Sequence, residues 1–260
     1  MTTPPPTAPV PAPAPPAEQE AGLNTRLADS PGGAGKRYAV KAIWRTVQGE
    51  GTWAGRPAVF VRLVGCNLWT GYGADRERDA ARHGNACALW CDTDFTREGA
   101  VKLSAADLAA EAARLGGAVR FCVLTGGEPL LQADAALVGA LHDAGFTVAV
   151  ETNGTQRLAD AFGPEAAWPD WVVCSPKLPE ERLALEACDE LKLVVPDYRP
   201  AQYAAFAERV RPSVGGRRAL WVQPEDGPRL AEATRLALDL AFEDPRWRVS
   251  VQTHKHLGVD

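Results

Sequence analysis

From Arg37 onward, short apolar runs alternate along the chain with stretches in which apolar residues return every three or four positions. The short runs are 58–64 (AVFVRLV), 119–124 (VRFCVL), 146–151 (FTVAVE), 171–174 (WVVC), 190–195 (ELKLVV), 219–223 (ALWVQ) and 247–252 (WRVSVQ). Their near-continuous β-branched and aromatic content predicts strands covered on both faces, as in a parallel sheet. Helices are predicted between them. Ser104 can cap a helix in which Leu108, Ala112 and Leu115 share one face and Asp107 meets the positive first turn. Residues 129–144, 200–211 and 228–242 follow the same period, the last two opening with Pro200 and Pro228 near the first helical position. Strand-then-helix repetition implies right-handed parallel crossovers, so the class is α/β. The strands are too few for a closed eight-stranded barrel, which leaves a partial barrel or a doubly wound sheet. Both collect ligands beyond the carboxyl ends of their strands.

The first 36 residues break this pattern: eight prolines in the first sixteen positions are followed by "SPGGAGK". Such composition is expected to form a disordered tail ahead of one catalytic domain at 37–260. A net charge of -5 and a pI near 5.5 disfavour a nucleic-acid partner and favour a small-molecule substrate. No apolar run approaches the ~20 residues that cross a bilayer, and the N-terminus lacks a secretory signal, so a cytoplasmic protein without a membrane partner is expected. Six cysteines among 260 residues are too sparse for a disulfide framework, which turns attention to metal or redox chemistry.

Polar, glycine-bearing segments recur after strand upon strand. Cys66 follows the first run, Thr125-Gly126-Gly127-Glu128 the second, Glu151-Thr152-Asn153-Gly154 the third, Ser175-Pro176-Lys177 the fourth, Gln223-Pro224-Glu225-Asp226 the sixth, and Gln252-Thr253-His254-Lys255 the last. Singly each is ordinary turn chemistry; together they would line one mouth. Cys66, Cys87 and Cys91 gather at the same end. Three thiolates suit an iron-sulfur cluster with one iron left open, and His83 would equally complete a Cys₃His zinc site. Spacing alone leaves these two level. Cys122, Cys174 and Cys188 sit in or beside apolar runs and are expected in the core.

Seven motifs taken in order, "QGEG" (48–51), "VFVRLVGCNL" (59–68), "WCDTDF" (90–95), "LTGGEP" (124–129), "ETNG" (151–154), "SPK" (175–177) and "QTHK" (252–255), resemble the 7-carboxy-7-deazaguanine synthases, a family of radical S-adenosylmethionine enzymes. The resemblance spans 37–260 and implies a partial parallel β/α barrel. It also implies a 4Fe-4S cluster on Cys66, Cys87 and Cys91, and S-adenosylmethionine against Trp90, Cys91, Asp92, Gly126, Gly127, Glu128, Ser175, Pro176, Lys177 and the turn Gln223, Pro224, Glu225, Asp226. The implied reaction contracts the ring of 6-carboxy-5,6,7,8-tetrahydropterin and releases ammonia. The implied substrate contacts are Val47, Gln48, Gly49, Glu50, Arg62, Thr125, His254 and the terminal Asp260, with Glu50, Arg62 and His254 closest to the chemistry. The resemblance further implies Mg²⁺ at Thr93, an electron donor such as a flavodoxin or ferredoxin, and a homodimer. The family's usual cysteine pattern is C-x3-C-x2-C. Here the first gap is enlarged by "NLWTGYGADRERDAARHGNA", and the second, "ALW", holds one residue too many. A radical activase would leave "QGEG", Arg62 and "QTHK" unexplained, and a non-catalytic zinc module on Cys66, His83, Cys87 and Cys91 is the reading from outside enzymology.

Overall fold

The computed structural model describes residue 29, residues 35–212 and residues 216–259. The tail expected at 1–36 falls mostly outside the described residues, as does Asp260. Among the described residues nine strands form one sheet in the order β3-β1-β2-β4-β5-β6-β7-β8-β9. Their ranges are β1 Tyr38–Val47, β2 Pro57–Leu63, β3 Val101–Leu103, β4 Phe121–Gly126, β5 Thr147–Thr152, β6 Trp171–Cys174, β7 Glu190–Val195, β8 Ala219–Pro224 and β9 Trp247–Val249. From β2 through β9 neighbouring strands pair in parallel, while β1 lies antiparallel to both β2 and β3. The terminal strands β3 and β9 are not paired with one another, so the sheet curls as a partial β/α barrel instead of closing.

The predicted apolar runs became the parallel strands. β1 and β3 were not predicted, for two reasons. β1 interleaves Lys41 and Arg45 among its buried residues, the half-exposed alternation of an antiparallel strand, and β3 has only three residues. Three helix expectations need correction. Residues 200–211 form a 3-10 turn, Pro200–Tyr203, with a single helical turn, Ala204–Ala207, after which Val210 bridges to Cys188. Residues 129–144 split into a 3-10 turn, Pro129–Leu131, and a helix, Ala135–Asp143, because Asp134 caps the second piece through Leu137 N. Pro228 lies outside its helix, Leu230–Glu243, whose N-cap is Arg229. The cap at Ser104 is as expected, its hydroxyl accepting from Asp107 N at 3.1 Å.

The two faces of the strands carry different chemistry. On the outer face Val59, Val61, Leu63, Cys122, Leu124, Val148, Val150, Leu191 and Leu193 are buried with the helices in the main core, each large side chain contributing ~1.5–3 kcal/mol. On the inner face Ala58, Phe121, Val123 and Ala149 pack with Trp53, Phe60 and Trp171 to plug the amino-terminal end of the barrel. Above that plug the inner face turns polar.

Candidate active site

A cavity of about 220 Å³ opens at the carboxyl ends of the parallel strands. Cys66, Cys87 and Cys91 all line it, and the folded insertion explains how. Its helix α1, Arg76–His83, is followed by a single helical turn, α2, Cys87–Trp90, in which Cys91 N donates to Cys87 O at 2.8 Å. The surplus residue in "ALW" is thereby absorbed. Residues four apart share a face of a helix, so a three-residue gap brings Cys87 and Cys91 to the same side, while Leu89 points outward, 53% exposed.

Local bonds brace this turn. Buried Asn85 accepts at Oδ1 from Ala88 N (2.9 Å) and donates from Nδ2 to Leu68 O (3.1 Å). Arg76, lying over the Trp69 ring, donates to Ala88 O (2.7 Å) and Cys91 O (2.8 Å). Asp79, almost fully buried, accepts from Thr70 N. Leu68 N points at Cys66 Sγ at 3.4 Å. Burial pushes the Cys66 thiol up to about 11 and the Cys87 thiol to about 12, with the neighbouring Cys91 raising both. A positively charged centre binding their thiolates would offset that cost.

The glycine pair is dictated by close approach. A Cβ on Gly126, at φ +147°, would stand 2.2 Å from Leu63 O. On Gly127 it would stand 2.4 Å from Gly65 O and 2.6 Å from Cys66 Cβ. Glu128 N donates to Gly65 O, so this turn is seated directly on the Cys66 loop. The Glu128 carboxylate faces inward, away from the cavity: it accepts from Leu130 N (3.0 Å), Thr152 Oγ1 (2.8 Å) and Asn153 N (2.7 Å), and burial raises it to about 7 against those bonds. Lys177 borders the cavity, its Nζ bonded to Ser175 O and Oγ, with burial lowering its pKa.

Lys192 and Glu190, which the sequence reading did not select, join Glu50 and Glu151 to form the floor. Lys192, its side chain 4% exposed, meets Glu50 in an ion pair and lies 3.8 Å from Glu151. Glu50 also accepts from Gln252 Nε2 (2.8 Å), Glu151 accepts from Gln48 Nε2 (2.9 Å), and Glu190 accepts from Thr52 N (3.0 Å). Burial would raise the Glu50 carboxyl, but the adjacent Lys192 ammonium outweighs it and holds the group at about 2. Glu190 goes the other way, raised by burial despite Lys192. The signal for this floor was available: Glu190 and Lys192 alternate with Leu191 and Leu193 in a strand otherwise wholly apolar.

Of the predicted site residues, Glu50, Trp90, Asp92, Thr93, Thr125, Gly126, Gly127, Ser175, Lys177 and Gln223 line the cavity with the cysteines. Val47, Gln48, Gly49, Arg62, Glu128, Pro176, Pro224, Glu225, Asp226 and His254 stand behind or beside that lining. Arg62 is in register with Thr125 on the inner face and lies 4.8 Å over the Trp44 ring. His254 closes on "QGEG": a Cβ on Gly49 would stand 1.8 Å from its ring, and Thr253 N donates to Gly49 O at 2.9 Å. Glu225 is held by Arg229, which also grips Asp197, itself the acceptor of Trp90 Nε1 at 2.9 Å. Asp226 and Asp92 are joined through Lys255. Asp197, Arg229, Thr152 and Asn153 were not predicted, the last two despite the quoted "ETNG".

Three thiols on one cavity rim are a donor set that an iron-sulfur cluster could take. Among the described residues no three His, Cys, Asp or Glu side chains lie close enough to hold a single metal ion. His83 does not line the cavity, so the Cys₃His set is not assembled.

An open parallel barrel carrying these thiols above a glycine turn belongs to the radical S-adenosylmethionine enzymes. No family model matches the chain. Curated relatives do: a 7-carboxy-7-deazaguanine synthase of Bradyrhizobium diazoefficiens is 45% identical over 85% of this chain and 99% of that protein. One of Burkholderia multivorans is 44% identical with the same coverage. The crystal structure of QueE from Escherichia coli superposes with a TM-score of 0.57 at 27% identity, covering 83% of this chain and 94% of that one. The chain belongs to the 7-carboxy-7-deazaguanine synthase family.

Proposed function

We propose that the chain converts 6-carboxy-5,6,7,8-tetrahydropterin into 7-carboxy-7-deazaguanine with loss of ammonia, a step of queuosine and 7-deazapurine synthesis. The observation that carries this reading is the ionised Glu50 floor directly beneath the thiol rim of one cavity. When bound, the 4Fe-4S cluster and S-adenosylmethionine supply one-electron hydrogen-abstraction chemistry. Cys66, Cys87 and Cys91 would hold the cluster; Gly126, Gly127, Ser175, Lys177 and Gln223 would cradle S-adenosylmethionine, with Lys177 available to its carboxylate. Glu50, kept charged by Lys192, reads the N–H donors of the pterin edge, since a carboxylate is an acceptor only. Arg62 on the same face suits the substrate carboxylate. The apolar plug of Phe121, Val123 and Trp53 excludes water below the ring.

The reading extends to Mg²⁺ at Thr93, which lines the cavity and whose hydroxyl is a suitable hard ligand. It extends also to a flavodoxin- or ferredoxin-type electron donor, a homodimer and a cytoplasmic setting; no helix among the described residues is long and apolar enough to cross a membrane. The test is anaerobic reconstitution followed by assay with reductant, S-adenosylmethionine, Mg²⁺ and the carboxy-tetrahydropterin. About four irons per chain and the deazaguanine acid as product are expected. Cleavage of S-adenosylmethionine with the pterin unchanged would sink the substrate assignment; stoichiometric zinc without iron would sink the radical reading.

A further inference from the structure

Lys192 is a buried, charged side chain whose contact with Glu50 bears on which ligand the site accepts. It rises from the middle of β7 between Leu191 and Leu193, and its partners come from distant parts of the chain: Glu50 from the loop after β1, and Glu151 from the end of β5. Glu190 lies two residues earlier on the same inner face and adds a third carboxyl. One ammonium therefore serves several buried carboxyls. Glu50 is the one it touches, and the other Glu50 oxygen is steered by Gln252 Nε2 at 2.8 Å, whereas Glu151, likewise steered by Gln48 Nε2, stands 3.8 Å from the ammonium.

We infer that Lys192 is the specificity-determining positioning residue of the pterin site, fixing Glu50 as an ionised acceptor so that the floor admits a ring edge rich in N–H donors. The inference rests on the proposed pterin reading. Without Lys192, Glu50 would remain enclosed beside Glu151 and Glu190 with no counter-charge, and burial would favour its protonated form. A protonated carboxyl offers a donor where the ligand also offers donors, and such a mismatch weakens recognition sharply. The other charged group facing Glu50 is His254, which titrates on the acid side of neutrality because burial lowers it. Measurements between pH 7 and 9 keep its contribution constant.

The experiment is anaerobic calorimetry of 6-carboxy-tetrahydropterin binding to the reconstituted enzyme, at steps across that range, for the wild type and Lys192→Met. Wild-type affinity is expected to stay level. Lys192→Met is expected to bind at least ~10-fold more weakly at pH 7, to regain affinity as pH rises, and to release a proton on binding, because ligand capture then forces Glu50 to ionise. In Glu50→Gln/Lys192→Met the pH slope should vanish. A slope that persists in the paired variant assigns the titration to another carboxyl and overturns the inference; so does a Lys192→Met enzyme with unchanged affinity and no proton release. Should Lys192→Met not fold, the paired variant compared with Glu50→Gln alone decides: a change below about twofold supports action through Glu50, and a further tenfold loss refutes it. A wild type that binds no pterin removes the functional reading and this inference together, whereas normal wild-type binding with an indifferent Lys192 removes the inference alone.

Discussion

Two lysines of this site each bind a pair of carboxylates, in opposite surroundings. Lys192, on the floor, is 4% exposed and meets Glu50 and Glu151. Lys255, at the rim, is 36% exposed and meets Asp226 and Asp92, the latter 72% exposed. Water screens the rim pairs and leaves them worth little. The floor pairs are bound to long-range protein structure, and breaking one strands a charge in a poorly solvated place. The same contrast runs through the rest of the site. The thiol rim is assembled from nearby sequence, with Asn85, Ala88 and Cys91 closing on each other across a few residues; the floor draws on β5, β7, the loop after β1 and the segment before the last helix.

The largest effect tests whether the rim is one chemical unit. Cys91→Ala should abolish both iron loading and product formation, measured as iron per chain and deazaguanine acid after anaerobic reconstitution, while leaving the fold intact by circular dichroism. Full turnover without this thiol would mean that the helical turn Cys87–Trp90 does not present the cluster ligands.

Next in size, and aimed at the floor, is the stability of Lys192→Met. Removing the ammonium should cost ~3 kcal/mol at pH 8 in denaturant titration of the metal-free protein. The sign with pH separates charge from packing. In the wild type Glu50 is held at about 2, below its unfolded range near 4.5, so its contribution is present above about pH 4.5 and drains away as pH falls toward 2. In the variant the carboxyl moves upward instead, and a raised acid favours the folded state as it takes up its proton. The deficit should therefore shrink as pH is lowered from 8 to 5.5. A deficit constant over that interval would show that the loss is of packing alone.

The same division explains what was legible beforehand. The outer-face strands declared themselves as unbroken apolar runs, and the cysteines by their scarcity and clustering. β1 was hidden by its alternation, and Lys192 by the apolar run around it: a lysine inside "ELKLVV" reads as an interruption until the strand's period of two puts Glu190 and Lys192 on one face. The insertion was opaque for another reason. "RERDAARH" has the composition of a solvated helix, and nothing local reveals that Asp79 is 2% exposed or that Arg76 reaches Cys91 O. The surplus residue of "ALW", the chief departure from the family's pattern, needed the backbone bond from Cys91 N to Cys87 O to become intelligible.

A smaller effect sharpens the local character of the rim. Asn85→Ala leaves Ala88 N and Leu68 O without their side-chain partner in a buried place, at a cost of ~1–2 kcal/mol. The iron content should fall only partly, since Arg76 still holds Ala88 O and Cys91 O. Complete loss of iron would show that Asn85, rather than the turn as a whole, sets the thiol geometry.

The smallest effect belongs to Lys255. Lys255→Ala should change the unfolding midpoint by no more than the equivalent of ~0.5 kcal/mol, because its partners are exposed and screened. High salt should erase even that difference, as the Debye length at 1 M is only about 3 Å. The last helix, Thr253–Leu257, would remain attached through Thr253, whose N–H and hydroxyl both donate to Gly49 O, and through Gln252 on Glu50. If Lys255→Ala proved as costly as Lys192→Met, and the cost survived 1 M salt, exposure would not be what distinguishes the two lysines, and the rim would have to be treated as an electrostatic assembly in its own right.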